Sequence, residues 1–435
     1  MTSHHTTDGR VNRYVVVGIC FAAIVFDGYD LISYGSTIPA LLDYEPWALT
    51  RAQVGAIGSY ALMGMFFGAL TAGPLTDRFG RRALFLGCLC WYSVAMLAVA
   101  LAPTPELLGV FRFAAGLGFG GIAPVAIAVV VEVARPHERN RLNSLMLAGL
   151  PVGGVIAALL ALWLLEPLGF RALWGMGALA LILVVPPAWK YLPETAATTD
   201  APVPAAPAAT SRLRKLLSPT AIGALLCFAA ANFVGFLLVF GLNIWLPELM
   251  RESGYSLGSA LRFQLLLNAG AVAGGIFGST LADRYGSRRV AASAFLVATA
   301  ATAAMATAPP HLAMYFVVLL AGAGSIGTQI VLFGYVATHY PIGVRATALG
   351  ITTGIGRLGA VTGPILGGAL LSAGVPLGWI FTTFGAIALV GGIACLLVPR
   401  QPADGHRAST VPASRGNNTS ALPRSMSADR PGVRS

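Results

Sequence analysis

Two carboxylates, Asp27 and Asp30, stand three residues apart in a run otherwise free of charge from Tyr14 to Leu42. On a helix that spacing puts both on one face, and Tyr34 and Thr37 extend the same polar stripe. Carboxylates inside an apolar run face a cavity or a partner, and they mark the path of an ion or a substrate. Two acids this close in a low dielectric resist double ionisation, so the pair titrates as a unit and one member can carry an exchangeable proton. Two arginines, Arg112 and Arg357, also lie inside apolar runs. Arg112 can neutralise one of the two acids. Arg357 stands among Gly354, Gly356 and Gly359, which leave room beside a guanidinium whose planar fork matches a carboxylate bidentately. Proton exchange and capture of a small anion are the chemistries these residues point to; an ion pair or a carbonyl-capping cation with only a structural role is the alternative for each.

Such residues need long apolar helices to hold them, and composition supplies these. The chain has 435 residues, 56% of them apolar and only 10% charged, with a mean hydropathy of +0.75. Charge-free runs near 20 residues recur, long enough to cross a hydrocarbon core of about 30 Å as helices. Their continuity excludes an outer-membrane barrel, whose strands alternate. Twelve spans are expected, near 14–41, 54–75, 82–102, 106–131, 140–165, 171–191, 219–249, 259–282, 289–308, 311–338, 346–373 and 376–398. Counted along the helices, Asp27 and Asp30 fall about 20 and 24 Å from one edge, and Arg112 about 10 Å from the other, which puts Arg112 within reach of either acid.

The bases report orientation rather than an affinity for nucleic acid. Assigning both termini to one side gives that side 22 Lys and Arg residues against four (Arg51, Arg171, Arg251 and Arg262) on the other, so both termini are expected in the cytoplasm of a bacterial inner membrane. The first apolar stretch is too long for the core of a cleavable signal and is expected to remain as the first span. The five cysteines fall within spans and read as apolar filler.

Expected divisions are a cytoplasmic segment 1–13, a six-helix bundle 14–192, a Pro/Ala/Thr-rich cytoplasmic linker 193–218, a second six-helix bundle 219–398 and a polar, disordered cytoplasmic tail 399–435. The halves repeat. GPLTDRFGRR at 73–82 returns as STLADRYGSR at 279–288, and the same offset of 206 residues carries Arg139 onto Arg345. Parallel repeats of six spans, with a substrate site where they meet, are one organisation of secondary transporters.

The stretch from Gly73 to Arg82, together with Arg112, Gly116 and Gly118, resembles the major facilitator superfamily over about residues 14–398. Within it, Asp27-Gly28-Tyr29-Asp30 and Arg357 resemble the aromatic acid:proton symporter family, importers of benzoate-type carboxylates. The resemblance implies an all-α fold of twelve transmembrane helices in two pseudo-symmetric halves. It also implies a gating latch in the loop carrying Gly73, Asp77, Arg78, Gly80, Arg81 and Arg82, made in the outward-open state. From the residues themselves, Gly80 permits a tight turn, Asp77 is placed to cap a helix or pair with a base, and Glu132 and Arg139 are near enough to join. Asp283 and Arg284 form a weaker copy, with Ser279 and Ser287 replacing Gly73 and Arg81.

For the rest of a substrate the second half offers Asn232, Asn243, Trp245, Gln264, Asn268, Gln329 and Tyr335, of which Asn243, Trp245 and Gln329 are the preferred contacts, with Tyr34 from the first half. His339 reads as a loop histidine. No phosphate-binding loop, metal-site or nucleophile motif is present, so the chain is expected to be no enzyme, to use no cofactor or metal, and to draw on a proton gradient. Its expected partners are protons, a small aromatic carboxylate and the bilayer, and a monomer is compatible with the sequence. The expected function is symport of a hydroxybenzoate, protocatechuate, gentisate or benzoate; another small solute (an aliphatic acid, a sugar or an exported drug) and a non-transporting receptor are the rivals.

Overall fold

The computed structural model describes residues 12–135, 138–193 and 219–399, so the linker from 194 onward and the tail from 400 lie outside it. The first half contains α1 (Arg13–Leu42), α2 (Arg51–Phe79), α3 (Arg81–Ala100), α4 (Pro105–Val133), α5 (Arg139–Leu147), α6 (Gly149–Met176), α7 (Ala180–Leu183) and α8 (Val185–Tyr191). The second contains α9 (Pro219–Glu252), α10 (Leu257–Tyr285), α11 (Ser287–Ala306), α12 (His311–His339), α13 (Ile342–Ser372) and α14 (Leu377–Leu397). Eleven described stretches are long and apolar enough to cross a membrane, and one of them, Arg141–Tyr191, is 51 residues long. That is more than twice the roughly 20 residues one crossing needs. It turns at Gly169, whose φ of 73° takes it out of the helix, between the two spans expected there. The chain therefore makes twelve passages in two halves.

Local sequence sets the ends of these helices. Asn12 caps α1 by accepting from Tyr14 N at 3.0 Å, and Thr50 and Gln53 form a reciprocal capping box on α2. Thr104 caps α4, with Pro105 at its first position. Gly80 ends α2 and begins α3 at φ 81°, and Gly286 does the same between α10 and α11 at φ 88°, 206 residues on. The starts and ends of α10, α11 and α12 all repeat those of α2, α3 and α4 at that offset.

Packing repeats as well. A Cβ on Gly64 of α2 would lie 2.2 Å from Phe113 O of α4, and one on Gly116 of α4 would lie 2.1 Å from Ala61 O of α2. Their counterparts Gly270 and Gly322 would meet Leu319 O and Leu267 O at 2.0 and 1.9 Å. Backbones this close depend on glycine, and close approach is how helices hold together where apolar surface alone gives no preference over lipid.

Candidate functional site

The central charges converge where the halves meet. Asp27 and Asp30 are 3% and 0% exposed, and Arg112, brought alongside by α4, is 1% exposed. Arg112 Nη1 donates to Asp30 Oδ1 at 2.9 Å, and its guanidinium lies over the Tyr34 ring at 4.4 Å from the centroid. Asp30 Oδ2, Arg112 Nε and Asp27 Oδ1 are buried with no hydrogen-bond partner among the described residues. Of the two acids, then, Asp30 has the close arginine. Asp27 has Arg357 as its electrostatic partner from the other half, while Arg357 Nη1 sits 4.0 Å from the Met65 sulfur of α2. Two acids and two guanidiniums balance, but only one pair is hydrogen-bonded.

The expected substrate contacts separate into two groups. Tyr34 donates to Val54 O at 2.7 Å and stacks near Trp174, Trp245 donates to Pro364 O at 2.8 Å, and Asn243 donates to Val239 O and accepts from Asn268. Their polar atoms are engaged inside the protein because each lies against a neighbouring helix. Gln329 differs: both atoms of its amide are buried without a partner, beside Gly235 of α9. Asn232 Oδ1, one turn before Gly235, is also without a partner. Such groups carry a desolvation cost until something binds them.

Links between the halves are one-sided. Ser36 donates to Gln264 Oε1 at 2.6 Å, Gln264 Nε2 donates to Ile32 O and Asn243 O, and Ser59 donates to Val361 O at 2.9 Å. Arg251 reaches Asp43 at 2.6 Å and Pro39 O at 3.1 Å, and Arg51 pairs with Glu252. Among the described residues, every hydrogen bond and ion pair joining the halves lies either in the central charged layer or between it and the end where α1 stops and α2 starts. Beyond Arg357 in the other direction, Gly350 and Gly354 continue its helix face, and a Cβ on either would meet nothing within 4 Å. Among the described residues the cross-links thus hold one end of the interface shut and leave the other open.

At the open end lies the α2–α3 loop. Arg81 pairs with Glu132 at 2.6 Å, Arg82 donates to Trp189 O at 2.5 Å, and Arg78 stacks on Phe79. Asp77 is exposed, makes no ion pair among the described residues and caps nothing, because Gly80 turns the chain without a side-chain cap. Gly73 has open space where a Cβ would be, and Arg139, Asp283 and Arg284 are exposed. In the second half Arg288 reaches Leu396 O, the counterpart of Arg82 on Trp189 O.

The family model described as Major Facilitator Superfamily matches residues 20–353 and 263–431. The chain belongs to that superfamily. Among its relatives, a gentisate transporter of Corynebacterium glutamicum is 38% identical over 90% of this chain and 88% of its own length. A benzoate transport protein of Acinetobacter baylyi is 31% identical over 86% of this chain and 87% of its own. The crystal structure of a D-xylose-proton symporter superposes with a TM-score of 0.75 at 16% identity, over 89% of this chain and 98% of that one, a likeness of fold. As a member of this superfamily, the chain is a multi-pass membrane transporter and not an enzyme.

Sequence reading missed the closed end. Arg51 and Arg251 register only as topology markers, and Asp43, Glu248 and Glu252 are not singled out at all. The available signal was their concentration: two of the four bases on the base-poor side, Arg51 before the second span and Arg251 after the seventh, stand near acids at the ends of the first and seventh spans. Pairing Asp43 with Arg251 across some two hundred residues needed the fold.

Proposed function

We propose that this chain imports a small aromatic carboxylate together with protons across the bacterial inner membrane, rocking residues 14–192 against 219–398 about the charged layer. The observation that carries this reading is the position of Arg357. It is the second half's contribution to a buried layer otherwise made by the first, it has a carboxylate partner in Asp27, and it is not hydrogen-bonded to that partner. Relatives named for gentisate and benzoate transport supply the ligand class, since such acids are carboxylates on a flat ring.

The coupling follows from charge. With Asp27 ionised, Arg357 already has a counter-charge, and an entering carboxylate must compete for it. A proton on Asp27 removes the competitor and frees the guanidinium fork for the substrate. Proton and anion then occupy the layer together and leave together, one of each at this centre, so this step moves no net charge. Asp30, held by Arg112, fixes the frame. Gln329, whose amide has no partner among the described residues, and Asn232, whose Oδ1 has none while its Nδ2 donates to Phe228 O, are placed to serve the ring's substituents.

The shut end is the outer one when both termini and the linker 193–218 are cytoplasmic, which the 22-to-4 division of bases supports. The conformation is then inward-open. A latch holding the outward-open state would be undone here, in keeping with an exposed Asp77 and a separate Arg81–Glu132 pair.

Uptake of radiolabelled gentisate, benzoate, 4-hydroxybenzoate and protocatechuate into proteoliposomes under an imposed inward proton gradient tests the reading. Accumulation that a protonophore abolishes is expected. Accumulation of a sugar or an aliphatic acid instead, with none of the aromatic acids taken up, would replace the cargo.

A further inference from the structure

At the shut end, a cavity of about 700 Å³ is lined by Leu42, Asp43, Arg51, Glu248, Arg251 and Glu252, with Thr50, Leu49 and Ser372. Two ion pairs across the halves, Asp43–Arg251 and Arg51–Glu252, belong to its lining. Glu248 is left over. It stands one helical turn before Arg251 and Glu252 on α9, is 4% exposed, and its Oε2 is buried without a hydrogen-bond partner among the described residues. Every charged group that acts on it is in this cluster: Arg251 and Glu252 on its own helix, Arg51 from α2, and Asp43 at the end of α1. Three carboxylates thus face two guanidiniums.

We propose that Glu248 is a proton-binding site at the outer gate, separate from the central layer, and that its proton holds the gate shut. With Glu248 neutral, each guanidinium has one carboxylate and the two cross-links are matched. With Glu248 ionised, a third carboxylate competes for Arg251 and repels Asp43 and Glu252, and a buried charge without a partner is relieved by opening the halves to water. The ion pairs flanking Glu248 are half exposed, so it exchanges its proton with the outer solution and adds nothing to the charge carried through. An acidic exterior therefore favours the shut gate, closing it behind a loaded substrate and slowing its reopening once the protein is empty.

This inference rests on alternating access but not on the identity of the cargo, and its readout is accessibility rather than uptake. A cysteine reporter at Leu49, which lines the cavity just before α2 and is 8% exposed in the shut form, is labelled with a membrane-impermeant maleimide in oriented proteoliposomes of the full chain. Between about pH 6 and about pH 8 outside, labelling corrected for the maleimide's own pH dependence is expected to rise by about threefold or more as the buried carboxyl of Glu248 ionises. Glu248→Gln is expected to give low labelling with no such rise. Glu248→Ala, which removes the carboxylate without adding an amide, is expected to lose the rise too and stands in should the glutamine variant fold poorly. An unchanged pH response in either variant, or no response in the parent, would overturn the proposal.

Discussion

At the residue level the central layer assigns different tasks to side chains of the same type. Asp30 and Arg112 are fully buried and bonded to one another, so removing one strands the other in an apolar interior. Arg112→Ala is expected to destabilise the fold by about 3–5 kcal/mol, read as a fall in melting temperature in lipid or detergent. The double change Arg112→Leu with Asp30→Leu should recover much of that loss without recovering transport; a single variant melting like the parent would contradict the pairing. Among the described residues Arg357 donates no hydrogen bond to a protein oxygen, so its change should be felt by the ligand. Arg357→Lys keeps the charge and loses the fork, and the apparent KM for the carboxylate should rise by about tenfold or more while the melting temperature stays put. The acids and arginines were legible in the sequence because charge inside an apolar run is costly and has few uses. Which acid takes which arginine was not, since Asp27 and Asp30 share a helix face and only the placement of α4 and α13 separates them.

Among the helices, the two halves share one scaffold and differ in what it carries. Gly64, Gly68 and Gly116 recur as Gly270, Gly274 and Gly322, letting α2 lie on α4 and α10 on α12 at backbone contact. Gly116→Val is expected to cost roughly 1–3 kcal/mol or more through overpacking, with a drop in folded yield by size-exclusion chromatography. Gly73→Ala should leave that yield unchanged, because nothing lies within 4 Å of its Cβ position; a loss as large as for Gly116→Val would mean that Gly73 is held closely after all. The polar cargo obeys no such repeat: the offset carries Asp27 onto Phe233 and Gln264 back onto Gly58. Helix number, most helix ends and the 206-residue offset could be read in advance, since apolar run length, caps and the loop motif are local signals. The bond network of Gln264, Asn243 and Asn268 could not, because amides facing a ligand and amides bonding a neighbouring helix have the same sequence.

Across the whole molecule, alternating access needs links that hold without locking. The ion pairs at the shut end are half exposed, and such pairs contribute only about 0.2–1 kcal/mol each. Breaking one by Asp43→Asn should therefore shift the balance between outward- and inward-facing forms by up to about fivefold, read as a changed distance distribution between spin labels at the outer ends of α1 and α9. No shift would remove the pair from the gate. The central claim is that Asp27 and the substrate's carboxylate use the same guanidinium, with a proton deciding between them. Its most direct test is Asp27→Asn in proteoliposomes, comparing gradient-driven accumulation of labelled gentisate or benzoate with exchange of labelled for unlabelled substrate at equal pH. The account predicts that accumulation is lost while exchange persists, since the neutral amide leaves Arg357 free but has no proton to release. Gradient-driven accumulation equal to that of the parent would contradict it.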